Sequence, residues 1–194
     1  MFQLRRPTRD QIDRCLAQQS RLALAYQEVE ATRDGAPPGY VVDHNRLLLG
    51  RGQDVFEAAV AALRRWEQFN LGWVSLCWPT APLEPGVTVG ILARFTGLYS
   101  LSACRIVYLI DEAGPLRKVG FAYGTLPGHV ARGEERFLVE WYTDTDRVYY
   151  DILAFSRPRS LLFRLGSPVT RLLQKRFASD SKQAMLRAIQ QGGG

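Results

Sequence analysis

The sequence predicts an α+β fold: a curved antiparallel sheet of about six or seven strands wrapped around a long C-terminal helix, with an N-terminal helical extension. Three observations lead there. Apolar residues recur at helical spacing up to about residue 69 and again beyond residue 167. Between those limits the period changes from 3.6 to 2 over six successive segments. The segments are joined by short connections rich in turn residues, which favours antiparallel neighbours over crossovers.

The elements follow in chain order. Residues 8–25 predict a helix that Thr8 can cap, with Ile12, Leu16, Leu22 and Leu24 as a loose apolar face. Asp34-Gly35-Ala36-Pro37-Pro38-Gly39 breaks regular structure. A short strand at 46–49 turns at Gly50-Arg51-Gly52 into a helix from 54 to about 69, where Phe56, Val60, Leu63 and Trp66 share a face. Asn70 and Gly72 end it. The six strands cover 71–78, 87–95, 103–110, 118–125, 135–142 and 148–155. Pro158 fits the first turn of a helix, and Gly166-Ser167-Pro168 restarts one with Ser167 as cap. Leu172, Leu173, Phe177, Met185, Leu186 and Ile189 give the last helix an apolar stripe. A sheet with one apolar face must be covered, and this helix is the natural cover.

Composition bounds the rest. A chain of 194 residues, 46% hydrophobic and 23% charged, fits one folded domain. It divides into an extension (1–40), a core (41–191) and a glycine tail (192–194). Cys15, Cys77 and Cys104 are odd in number and form no C-x-x-C pair, so three free thiols are expected. With only His44 and His129 as histidines, no metal site is expected, and no cofactor either, since no dinucleotide fingerprint is present. The N-terminus has no apolar stretch behind its basic residues, and the most apolar stretch, 98–110, contains Arg105. A cytoplasmic protein is therefore expected. The net charge of +6 is uneven: residues 1–155 hold 17 basic and 18 acidic residues, whereas 156–194 hold 8 and 1.

The element order resembles the helix-grip superfamily of START lipid-transfer domains, birch-pollen-allergen-like proteins and polyketide cyclases. That resemblance implies a cavity between sheet and helix, not an activity. A second resemblance rests on motifs. Gly120-Phe121-Ala122-Tyr123-Gly124-Thr125-Leu126-Pro127-Gly128-His129, Gly133-Glu134-Glu135-Arg136-Phe137 and Ala154-Phe155-Ser156-Arg157-Pro158 are similar to a bacterial and plant family, domain of unknown function 1990. Glu30 stands where that family's pattern leads one to expect glycine, and Val130 where it leads one to expect proline. The resemblance carries no activity with it.

Candidate chemistry is sparse. On the strand at 118–125, Val119, Phe121, Tyr123 and Thr125 share one face, while Gly120, Ala122 and Gly124 leave the other open to a helix or a ligand. His129 precedes Glu134 and Glu135 closely enough to form an acid/base pair with either, or merely to organise the hairpin. Arg94, Arg105, Asp151 and Tyr150 are polar residues in apolar strands and need partners if buried. The candidate ligand-facing residues are Tyr123, Thr125, Arg105, Asp151 and Trp141. The basic C-terminal run is Arg157, Arg159, Arg164, Arg171, Lys175, Arg176, Lys182 and Arg187. It either forms a solvated helix face or makes weak contact with an anionic membrane surface; lacking interleaved aromatics, it speaks against nucleic acid.

Three functions follow. The first is binding of a small apolar or amphipathic ligand between sheet and helix. The pocket would be lined by Tyr123 and strand aromatics, with His129 and Glu134 at its rim. The second is a hydrolase or cyclase using His129 with Glu134 or Glu135. The third is an anionic-surface or nucleic-acid binder acting through the last helix.

Overall fold

The structure, a computed structural model, describes residues 2–129, 131–158 and 167–191. Strands β1 (Phe2–Gln3), β2 (Val41–Arg51), β3 (Val74–Leu76), β4 (Thr88–Phe95), β5 (Leu98–Glu112), β6 (Leu116–Thr125), β7 (Ala131–Tyr142) and β8 (Arg147–Pro158) form one antiparallel sheet. Its order is β2-β8-β7-β6-β5-β4-β3, with β1 paired to β5 beside that path. Helices α1 (Arg9–Gln19), α2 (Gln53–Arg64) and α3 (Ser167–Gln191) complete the fold. The six predicted strands and the long last helix are all present. The sheet curls around α3 in a helix grip.

Local chemistry sets the boundaries. Thr8 caps α1 in a reciprocal capping box with Gln11, as its position predicts. The helix stops at Gln19, short of the expected residue 25. Beyond it, the Ser20 and Leu22 carbonyls accept from the Arg105 guanidinium at 2.7 and 2.9 Å and the Ala25 N–H donates to the Thr125 carbonyl, which ties the chain to the sheet instead of to a helical ladder. The second helix breaks at Arg65 because Trp66 turns left-handed (φ 62°) before a 3-10 turn, Glu67–Phe69. That turn buries Trp66 and Phe69, and the indole donates to the Ala81 carbonyl at 3.0 Å. Strand β5 begins at Leu98, five residues early, because Thr96 and Gly97 (φ 47° and 84°) make a tight two-residue hairpin. Pro158 ends strand β8 instead of opening a helix; a strand end tolerates its missing N–H. Val130, Arg159, Arg164, the Gly166 restart and the 192–194 tail lie outside the described residues.

The sheet is covered on both sides. On the concave side Phe121, Phe137, Tyr150 and Ile152 pack with Phe56 and Leu63 of α2 and Met185 of α3. Phe121 and Phe137 are fully buried with rings 5.4 Å apart, and each contributes roughly 2–3 kcal/mol by burial. On the convex side Ile12 and Leu16 of α1 pack with Leu92, Leu101, Ala103 and Leu126.

The Gly-Ala-Gly face also lies on the convex side. Neither a ligand nor a helix fills it at Gly124: a Cβ there would sit 2.1 Å from the Tyr26 hydroxyl. The segment after α1 runs over this strand, and Ala25 N–H donates to the Thr125 carbonyl at 2.9 Å. Cys15, Cys77 and Cys104 are free.

Candidate functional site

The strand registers align one rung across five strands: Ile106, Tyr123, Glu135, Ala154 and Asp43. These positions face α3. Ala154 is the small member between two carboxylates, and α3 does not fill the space above this part of the sheet. The result is a partly open cavity of about 470 Å³. Its walls are mostly apolar, with Phe69, Trp73, Tyr123, Ile152 and Phe177 prominent. Ser100 and Ser102, at the start of β5, also face it.

Polar groups converge on one wall. The Tyr123 hydroxyl donates to Glu135 Oε2 at 2.6 Å. Glu135 keeps some surface toward the cavity but is enclosed by protein. Lost solvation raises its carboxyl to about 7, the Tyr123 hydrogen bond pulls it back, and the negative charge of Asp43 raises it further. Burial holds the Tyr123 phenol well above its ordinary value. Asp43 pairs with Arg171 of α3 at 2.5 Å, and the Gln174 amide donates to Ser156 Oγ at 3.0 Å.

His129 also lines the cavity, and burial lowers its imidazole to about 4, so it is neutral at pH 7. The Ala131 N–H donates to its Nδ1 at 3.1 Å. Among the described residues, no hydrogen bond joins His129 to Glu134 or Glu135. Glu134 contributes to the cavity wall, but its carboxylate is held on the convex side. There it accepts from Tyr26 Oη (2.6 Å), Glu30 N (2.8 Å), Thr32 N (3.0 Å) and Thr32 Oγ1.

The other candidates separate. Tyr123 and Thr125 line the cavity. Arg105 binds the carbonyls after α1. Asp151 bonds His44 Nε2 at 2.6 Å and Arg136 at 3.0 Å on the convex face. Trp141 lies against Phe56 and donates to Asp146 at 3.0 Å. These three find protein partners, so no ligand head group is required for them. Asp43 and Gln174 carried no sequence signal, and Arg171 stood out only as one member of the basic run: Asp43 and Arg171 are 128 positions apart, and only curvature of the sheet brings them together.

The basic run is partly dispersed. Arg171 meets Asp43, Arg176 meets Asp180 and stacks on Trp73, Lys182 reaches Asn45, and Arg157 lies over Tyr40. Among the described residues no helix is long and apolar enough to cross a membrane.

Residues 25–184 match the family described as Domain of unknown function (DUF1990). A UPF0548 protein of Dictyostelium discoideum is 40% identical over 208 residues, covering 97% of this chain and 96% of that one. A UPF0548 protein of Deinococcus radiodurans is 36% identical, with 97% and 98% covered. Among solved structures, that of Ara h 8.0201 is 14% identical and covers 77% of this chain and 99% of its own, with a TM-score of 0.48.

Proposed function

We propose that this chain, which belongs to the DUF1990 family, holds a small apolar or amphipathic molecule in the cavity beneath α3. The observation that carries this is the cavity itself: about 470 Å³, mostly apolar, with its polar groups gathered on one wall. Small-molecule sites have that size and that distribution of polarity. Tyr123 and Thr125 line the binding wall, and His129 contributes a neutral imidazole to it.

A neutral naphthalene fluorophore tests the reading. It should bind native protein saturably at one site, and Ala154→Leu, which fills the gap on the polar rung, should weaken binding at least tenfold. The variant's fold is checked by circular dichroism, because overpacking can cost stability. Non-saturable binding, or full affinity in a folded Ala154→Leu protein, would end the ligand reading.

One observation favours an enzyme as the second reading. A cavity carboxyl near 7, bonded to a tyrosine, suits general acid/base chemistry. The hydrolase or cyclase alternative then centres on Glu135 and Tyr123, with His129 as a neutral neighbour and Glu134 as a structural group.

A further inference from the structure

Glu135 differs from the other acidic groups of the molecule's interior. Asp43 has Arg171, and Asp151 has Arg136 and His44. Glu134 receives hydrogen bonds from four protein donors. Glu135 has one neutral donor, Tyr123, on Oε2, and no cation within ion-pair distance among the described residues. An enclosed carboxylate without a counter-charge is costly, and its cost is relieved when a cation enters. Around it stand the rings of Tyr123, Phe69 and Phe177, with Phe69 5.4 Å from Phe177 and 6.1 Å from Tyr123. Aromatic faces attract organic cations, and a flat apolar body fills a space with such walls.

We infer that the cavity ligand is a protonated amine on a flat apolar body, its ammonium group paired with Glu135 and its body set among Phe69, Tyr123 and Phe177. The inference rests on the cavity reading and adds the ligand's charge. A neutral alcohol of the same shape can accept or donate one hydrogen bond at Glu135 but cannot supply the missing counter-charge. An anionic ligand would meet two carboxylates on the polar rung, only one of them compensated.

The pairing gives binding a pH signature with a fixed sign. The groups facing Glu135 are Cys104 from β5, Tyr123 from β6, Tyr150 from β8 and Asp43 from β2, with Arg171 of α3 behind Asp43 and His129 in the loop before β7. The thiol and both phenols are raised by burial, and His129 is lowered to about 4. None of these four titrates between pH 6 and 8, so Glu135, near 7, dominates that window.

The test uses naphthalene-2-methanamine and its neutral counterpart naphthalene-2-methanol on the full chain, with dissociation constants measured at pH 6, 7 and 8. The amine should bind about tenfold more tightly at pH 8 than at pH 6, following Glu135 ionisation. The alcohol should not gain over the same range. Glu135→Gln should abolish the amine's preference while keeping alcohol binding. Tyr123→Phe, which removes the hydrogen bond that stabilises the carboxylate, should move the midpoint of the amine's pH profile upward. Equal affinity for both probes at pH 8, a flat amine profile, or an intact preference in Glu135→Gln would overturn the inference and leave the cavity reading standing. Failure of both probes to bind would overturn both.

Discussion

Glu134 and Glu135 are adjacent in the chain and opposite in environment, because successive strand residues point to opposite faces. Glu134 is met by four donors on the convex side. Glu135 faces a mostly apolar cavity with one donor. Its carboxyl is raised from 4.5 to about 7, so the folded state favours the protonated form. The stability it contributes is complete below about pH 4.5 and is lost as pH rises through 7. Glu135→Gln should therefore gain roughly 2 kcal/mol over wild type between pH 5 and pH 8, compared by urea unfolding at both. No pH-dependent difference between the two proteins would contradict the raised carboxyl.

Glu30 gives a second test at a single position. It is left-handed (φ 66°), and its N–H donates to Glu134 at 2.8 Å. The glycine expected there from the family pattern suits that conformation. Glu30→Gly keeps the backbone bond and loses only an exposed pair with Arg33, which is worth little. The urea midpoint should rise, corresponding to about 0.5–1 kcal/mol, with an unchanged denaturant slope. A lower midpoint would show that the side chain matters more than the backbone.

At the scale of elements, the N-terminal segment is a clasp. Tyr26 lies over Gly124, Thr32 is fully buried, and the Thr32 carbonyl accepts from Arg136 at 2.9 Å. Glu134 gathers the segment's amides and hydroxyls at one point. Glu134→Ala strands those donors in a buried site and should cost roughly 3 kcal/mol. Amide exchange should accelerate first in residues 26–33, with β7 and β8 keeping more protection. Uniform acceleration across the sheet would instead make the clasp part of the global folding unit.

At the scale of the whole molecule, the sheet serves two covers. Helix α3 and α2 lie on the concave side, α1 and the clasp on the convex side. A bulge in β5 between Ile106 and Tyr108 allows this. Ile106 faces α2 and α3, whereas Tyr108, two residues on, faces the clasp and bonds Thr32 at 2.7 Å. Without the bulge, both would share a face. The C-terminal charge excess likewise changes meaning in three dimensions, since Arg171, Arg176 and Lys182 meet partners from other parts of the fold or their own helix.

Local pattern along the chain reveals helices α1–α3 and strands β2–β8 in their order, but not β1 or the 3-10 turn at Glu67–Phe69. Helical and strand periodicities and the Thr8 cap are local, and local stereochemistry decides them, whereas the tight turn at Thr96-Gly97 emerged only in the structure. The sequence also marked Tyr123 and the two glutamates as worth inspection. Strand register and packing settle which glutamate faces the cavity and set Asp43 on the same rung. The tertiary structure alone showed Arg105, Asp151 and Trp141 to be bound by protein and the small-residue strand face to belong to Tyr26 at Gly124. Those outcomes depend on strand register and, for the most part, on contacts between residues far apart in the chain. A one-residue offset at a bulge exchanges inside for outside, and no local pattern records it.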